Sequence, residues 1–268
     1  MNFYQTQTKF RKLIKRSLLK ASAVGKAFTA KCHLSEEKYW WFVARRNFIA
    51  LLINRMNLDF NSKILDVGCS EGGLIQILEN KGFTSVSGID VSEQAIAQCA
   101  LRGINKVSLK DGINTDFKDG EFDLIIASDV LEHIADERSA LKEWCRILTP
   151  QGILLLFVPA FKTLWSSNDE LNNHYRRYDK SYLINQIVSA NFEIQRMSYW
   201  NSALFLPIFF QRTLERNLPK KTIKKKDELY YINPFLNNLL GSVLKIENFF
   251  LSYFNAPVGV SLFAICKK

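Results

Sequence analysis

Four acids and a run of small residues in the first half of the chain are spaced for ligand chemistry. Residues 65–74 read LDVGCSEGGL, close to the glycine turn that lets a backbone approach a pyrophosphate, with Ser70 standing where a middle glycine would be. A dinucleotide is a poor guest here. Ser70 adds a side chain, and Glu71 sets a carboxylate at the mouth of the next helix, where it repels a doubly negative group. A nucleoside carrying a sulfonium and an amino acid meets no such obstacle, because Asp66 and Glu71 favour a cation and Gly68 lets the chain pass close to it. Asp90 follows Gly68 by 22 residues, about the separation at which an acid accepts ribose hydroxyls. Asp111, with Gly112 after it, can read an adenine amino group.

A second group of residues suits an acceptor. Transfer to oxygen or nitrogen can require a base, and His133 and His174 are the candidates; His33, the third histidine, lies before the sheet. Either candidate could also serve structure alone. In the segment NDELNNHYRRYDKSYL (168–183), Tyr175, Arg176, Arg177 and Tyr178 form a candidate substrate surface. Paired guanidinium groups suit a carboxylate or phosphate in bidentate geometry. The same arginines could instead pin the loop by pairing with Asp169, Glu170 or Asp179.

These residues must be held by alternating strands and helices. Short apolar runs predict strands at 63–68, 85–90, 106–111, 122–128 and 152–159, with helices between at about 71–81, 92–102 and 136–148. Gly82, Gly103, the Asp119-Gly120 pair and the 150–152 Pro-Gln-Gly turn mark the returns. Two more strands are expected at 192–200 and 258–267, separated by an insert over 201–257. That insert holds the aromatic stretch LFLPIFF (204–210), the basic run KKTIKKK (220–226) and a helix marked by apolar residues from Leu236 to Phe254. The domain organisation expected is a helical segment over 1–60, a core over 61–200, the insert over 201–257 and a final strand over 258–268. A doubly wound sheet of this kind binds ligands beyond the carboxyl ends of its strands.

On Asp66-Val67-Gly68-Cys69-Ser70-Glu71-Gly72, Asp90 and Asp111, the segment from Lys63 to about Pro159 resembles the core of the class I S-adenosylmethionine-dependent methyltransferases. Ser70 departs from their pattern. The stretch SDVLEHI (128–134) resembles the motif after strand four in the branch that includes the ubiquinone-biosynthesis O-methyltransferases. The resemblance implies an α/β fold: a doubly wound, Rossmann-like, seven-stranded sheet with helices on both faces, an N-terminal helical extension and a helical insert before the last strand. It implies S-adenosyl-L-methionine as cofactor and S-adenosyl-L-homocysteine as product, with Asp66, Gly68, Ser70, Gly72, Asp90, Asp111, Gly112 and Ser128 at the cofactor. Arg45 stands where ubiquinone-type relatives contact the cofactor, although a solvated helix face is the alternative reading of that position. Asp129, Glu132 and His133 fall where those relatives hold a divalent ion, but many relatives with this motif use none and no metal is expected. The reaction implied is methyl transfer to a small-molecule, glycan or lipid-linked acceptor, at oxygen. A cofactor-binding protein without activity would show the same turn.

Charge divides the chain. The net formal charge is +10, yet residues 1–35 hold eight Lys or Arg and no acid, 220–226 hold five more, and Lys267 and Lys268 close the chain; the rest has 21 basic and 26 acidic residues. A nucleic-acid partner is therefore not expected, and the chain lacks the Asn/Asp-Pro-Pro-Tyr type motif of base-modifying relatives after strand four. Apolar residues at helical spacing over 9–28, with Lys and Arg on the other faces, have the pattern of an interfacial helix. That pattern and the 204–226 stretch suit an anionic membrane surface as a partner. The five cysteines are scattered and read as reduced thiols. No apolar run approaches the roughly 18 residues a spanning helix needs, and Lys20 and Lys26 interrupt the only stretch that could serve a signal peptide. The expected location is cytoplasmic, with peripheral attachment to the inner membrane face.

Overall fold

The computed structural model describes residues 38–217 and 232–268. Seven strands form one sheet in the order β3-β2-β1-β4-β5-β7-β6. They are β1 (Ile64–Val67), β2 (Val86–Asp90), β3 (Val107–Leu109), β4 (Phe122–Ser128), β5 (Leu148–Pro159), β6 (Glu193–Trp200) and β7 (Ser261–Lys267). All four residues of β1 are buried, as expected for a strand covered on both faces. The pairs among β1 to β5 are parallel, and β7 runs antiparallel between β5 and β6. The chain moves outward from β1 to β3 and returns to β4 on the other side of β1. The crevice at the carboxyl ends of β1 and β4 is thus the switch point of the sheet.

Among the described residues eight helices surround it: α1 (Trp40–Asn54), α2 (Gly73–Asn80), α3 (Glu93–Leu101), α4 (Glu137–Ile147), α5 (Ser167–Leu171), α6 (Lys180–Ser189), α7 (Phe205–Asn217) and α8 (Pro234–Leu251). One apolar cluster packs Leu141 and Trp144 of α4 and Leu183 and Ile187 of α6 on one face of the sheet. The other joins Phe48 and Ile49 of α1, Ile75 of α2 and Leu244 of α8 on the opposite face. Starts of helices follow local chemistry. The Ser92 hydroxyl accepts the Ala95 N–H at the head of α3, and the Asp136 carboxylate accepts the Ser139 N–H at the head of α4.

The strand and helix positions agree with the sequence pattern to within a few residues, and Gly82, Gly103 and Gly120 take positive φ at the returns. Two local expectations change. Residues 150–152 are not a free turn but lie inside β5, which begins at Leu148 and crosses an irregularity opposite Phe122 and Leu124. The aromatic stretch 204–210 opens α7: Pro207 falls in its first turn, where a missing N–H removes no helical bond. The basic helix expected over 9–28, the lysine run 220–226, His33 and Cys32 lie outside the described residues. The four described cysteines are free and buried.

The last strand enters through a tight passage. A Cβ on Gly259 would lie 2.5 Å from the Trp200 carbonyl oxygen and 3.0 Å from its carbon, atoms of the β6 backbone that cannot turn aside. We expect Gly259→Ala to cost about 1–3 kcal/mol by overpacking and to lower the thermal midpoint by about 3–10 °C in calorimetry.

Candidate active site

A cavity of about 700 Å3 opens over the carboxyl ends of β1, β4 and β5, within the size range of small-molecule sites. Asp66, Gly68 and Ser70 line it from the β1 turn, Ser128, Asp129, Glu132 and His133 from the segment after β4, and His174 and Arg177 from the segment before α6. Tyr39, Trp41 and Arg45 close it from α1 and its approach, and Ile208, Gln211, Arg212 and Glu215 close it from one face of α7. The sequence therefore brought together residues from both of its candidate groups, and missed α7 and the aromatic residues before Arg45.

The β1 turn is tight. Gly68 has φ +72°, and a Cβ there would meet Val130 Cγ2 at 2.4 Å. Ser70 also takes a positive φ of 48°, and its N–H donates to Asp90 Oδ2 at 2.9 Å. Asp90 uses its second oxygen on the Ser92 N–H at 2.8 Å, so the acid at the end of β2 ties the turn to the head of α3. Gly72 does not line the cavity; it faces Ile104 and Cys99. Glu71 lines the cavity and pairs there with Arg102, so its charge is shared with a guanidinium. Asp111 is exposed and accepts the Ile113 N–H, Gly112 accepts the Trp144 indole N–H, and neither lines the cavity.

Arg45 is a buried guanidinium and not a solvated helix residue. Its Nη1 donates to Asp129 Oδ2 at 2.8 Å and its Nη2 to Ser261 Oγ at 2.9 Å, while the group lies 4.1 Å from the centre of the Trp200 ring. Its Nε has no protein partner. Burial pulls the Arg45 pKa down, against the pull of Asp129 and Glu132 in the other direction.

Three of the four residues proposed for the substrate turn away. Tyr178 is buried, hydrogen-bonds Glu137 Oε2 at 2.6 Å and bridges to Ala160. Arg176 pairs with the same carboxylate at 2.9 Å. Tyr175 is exposed, with its N–H on the Glu132 carbonyl at 2.8 Å. The bridge of Tyr178 to Ala160, beside the end of β5, turns Tyr178 and Arg176 to Glu137 and leaves Arg177 between them facing the cavity. Arg177 faces inward and meets Asp169.

Asp169, in α5, is fully buried and collects the donors around it. The Ser166 N–H and hydroxyl reach Oδ2 at 2.9 and 3.0 Å, and Arg177 Nε reaches Oδ1 at 2.7 Å. His174 Nδ1 lies 3.0 Å from Oδ1, and Arg212 Nη1 lies 3.4 Å from Oδ2. Burial alone would raise the Asp169 pKa, but His174, Arg177 and Arg212 hold it below the usual carboxylate range. An ionised Asp169 accepts only, so Nδ1 of His174 carries a proton towards it, and in the neutral ring Nε2 is the acceptor. The His133 ring stands edge-on to His174 at 4.6 Å.

Two other acids respond to burial in the opposite way. Asp66 is pushed up to about 8 by burial and by Asp90 and Cys99, with Arg46 opposing. Glu132 is raised well above its ordinary value by burial and then by Asp129, and its Oε2 has no protein partner. Glu132, His133 and His174 bring one ligand atom each within 4.8 Å of one another, an arrangement able to receive a divalent cation. That set differs from the Asp129, Glu132 and His133 pattern of the sequence, because Asp129 turns to Arg45.

Residues 65–156 match the family model of the methyltransferase domain. The chain is 33% identical over 132 residues to a probable chloroplastic tocopherol O-methyltransferase of Oryza sativa subsp. japonica, covering 45% of this chain and 36% of that protein. It is 30% identical over 105 residues to the ubiquinone biosynthesis O-methyltransferase of Pseudomonas aeruginosa, covering 35% of this chain and 43% of the relative. The chain thus spans less than half the length of these two relatives. Among solved structures it is similar to the cyclase SpnF, with a TM-score of 0.58 and 21% identity over 86% of each chain. It is also similar to phosphoethanolamine N-methyltransferase 2 of Haemonchus contortus in complex with S-adenosyl-L-methionine, with a TM-score of 0.56 and 18% identity over 83% of this chain and 52% of that one. The strand order, the crevice and the glycine turn are those of a Rossmann-like fold, within which residues 65–156 match the methyltransferase domain. Over residues 65–156 the chain is therefore similar to the methyltransferase domain family.

Because the folded pKa of Asp66 lies above its ordinary 3.8, the stabilisation it gives is fully present below about pH 4 and is lost as pH rises through about 8. The thermal midpoint should fall as pH rises over that window, and Asp66→Asn should flatten the fall in a pH series of melting curves.

Proposed function

We propose that this chain is an S-adenosylmethionine-dependent methyltransferase that methylates a hydroxyl of a small-molecule acceptor, glycan- or lipid-linked and bearing an anionic group. The observation that carries this reading is that the β1 turn and the Asp169-held histidine face one cavity. The residues present fit the cofactor. Asp66 and Glu132 supply buried carboxyl groups to a cationic sulfonium and ammonium, Gly68 admits close approach, and the orphaned Glu132 Oε2 calls for a ligand partner. Asp66, Gly68, Ser70 and Ser128 are the cavity residues that would hold it, with Arg45 behind Ser128 and Asp129. Asp90 would act beside the turn that it ties.

When bound, S-adenosylmethionine supplies an electrophilic methyl group. His174 Nε2, fixed by the bond from Nδ1 to Asp169, accepts the proton of the acceptor hydroxyl. Arg177 and Arg212 face the cavity and share the Asp169 carboxylate, and their guanidinium groups suit a carboxylate or phosphate on the acceptor. Burial and the neighbouring Arg177 bring Arg212 down to about 10, a cost that an anion would relieve. The apolar lining from Trp41 and Ile208 excludes water and holds the acceptor in line.

Calorimetric titration with S-adenosylmethionine should show binding to the full chain. With labelled cofactor and lipid or glycan extracts as acceptor, His174→Ala should reduce transfer by about 100-fold or more while leaving cofactor affinity within a few-fold. No binding would overturn the reading, and binding without transfer to any extract would leave a non-catalytic cofactor-binding protein.

A further inference from the structure

We propose that the outward face of α8 is a docking surface for an anionic lipid membrane. The proposal goes beyond the methyltransferase reading and does not depend on it.

The inward face of α8 is fixed. Asn248 accepts the Trp200 indole N–H at 2.8 Å and donates to the Ala44 carbonyl at 2.9 Å, while Leu244 and Leu251 are buried. Asn237 accepts the Trp40 N–H at 3.0 Å at the other end of the helix. The carboxyl end is held by two guanidinium groups: Arg55 donates to the Ser252 carbonyl, and Arg196 donates to the carbonyls of Leu251 and Phe254. With its inward groups so engaged, the helix has no means of turning its other face inside.

That other face is apolar and open. Phe235, Leu239, Ile246, Phe249, Phe250 and Phe254 all stand in solvent, with Phe235 78% and Phe254 68% exposed. Isolated exposed apolar residues are ordinary, but a row of them along one side of an 18-residue helix, broken at Ser242 and continued past its end by Phe254, marks an interaction surface. Its carboxyl end is crowded with rings, since Phe249 lies 5.6 Å from both Phe250 and Tyr253. Arg55 sits 3.6 Å from the Tyr253 ring centre. Aromatic side chains beside a cation are the composition of a helix that lies in a membrane interface.

Charge selects the occupant. α8 has two charged residues, Lys245 and Glu247. Glu247 is spent on the N–H groups of Ser202 and Ala203, so the exposed charge on the helix is positive. Five lysines at 220–226 precede α8 in the chain, and the whole chain carries +10. Lys245 is exposed on α8 and Arg55 is exposed beside the Tyr253 ring, and anionic headgroups attract each Lys or Arg near them. The helix lies on such a surface rather than through it: among the described residues no helix is long and apolar enough to cross a membrane.

The test is co-sedimentation of the full chain with vesicles of phosphatidylcholine alone or mixed with phosphatidylglycerol. The chain should bind the mixed vesicles, bind phosphatidylcholine weakly, and lose binding as salt rises. The triple variant Phe249→Ser, Phe250→Ser, Phe254→Ser should bind mixed vesicles at least about tenfold more weakly with an unchanged melting temperature; should it melt lower, Ile246→Ser with Phe254→Ser repeats the measurement. Absence of binding to either vesicle overturns the proposal. So does a variant that binds as the parent does, or a dimer in light scattering that the substitutions dissociate, which would make a second copy the occupant.

Discussion

The buried carboxylate of Asp169 is the constraint on which the reactive half of this molecule depends. A charge removed from water must be paired and hydrogen-bonded, or it forfeits several kcal/mol. Asp169 meets that demand by drawing donors from three places in the chain: Ser166 beside it, His174 and Arg177 from the segment before α6, and Arg212 from the insert. Each donor arrives with its own backbone. The loop after β5, the approach to α6 and the helix over the cavity are therefore fixed to one point, and His174 is oriented as a by-product of satisfying that charge.

The same desolvation acts in the other direction where donors are lacking. Asp66 and Glu132 line the same cavity as Arg177 and Arg212, yet burial pushes their carboxyl groups up, whereas Asp169 is held down. Environment, not residue type, separates them. The donors around Asp169 favour its charged form, and burial disfavours the charged form of Asp66 and Glu132. The neighbouring Arg45 completes this seam. Its ion pair with Asp129 and its bond to Ser261 join α1 to the ends of β4 and β7, and the rings of Trp200 and Phe157 cover it.

The insert between β6 and β7 links this interior to the surface. One face of α7 lines the cavity through Ile208, Gln211, Arg212 and Glu215, while Leu206, Phe210 and Leu214 point outward. α8 packs along α1, whose Trp41 and Arg45 line the same cavity, and it too leaves an apolar face exposed. The segment that was least regular in sequence thus supplies both part of the cavity wall and most of the large exposed apolar side chains among the described residues.

The sequence by itself determined the sheet, because alternation of apolar runs with helical spacing is a local signal and fixes β1 to β7 within a few residues. It also determined the cofactor-side turn at Gly68 and Ser70 and the likeness to a methyltransferase core, since those residues lie close together in the chain. It could not decide which members of the 175–178 segment face the cavity, because the bridge of Tyr178 to Ala160 that turns them exists only in the folded chain. Nor could it show that Glu71 is spent on Arg102, that Arg45 is buried against Asp129, or that Arg212 reaches Asp169 across 43 residues. Those pairings are decided by burial, which exists only once the helices have closed over the sheet and the charges must find partners without water.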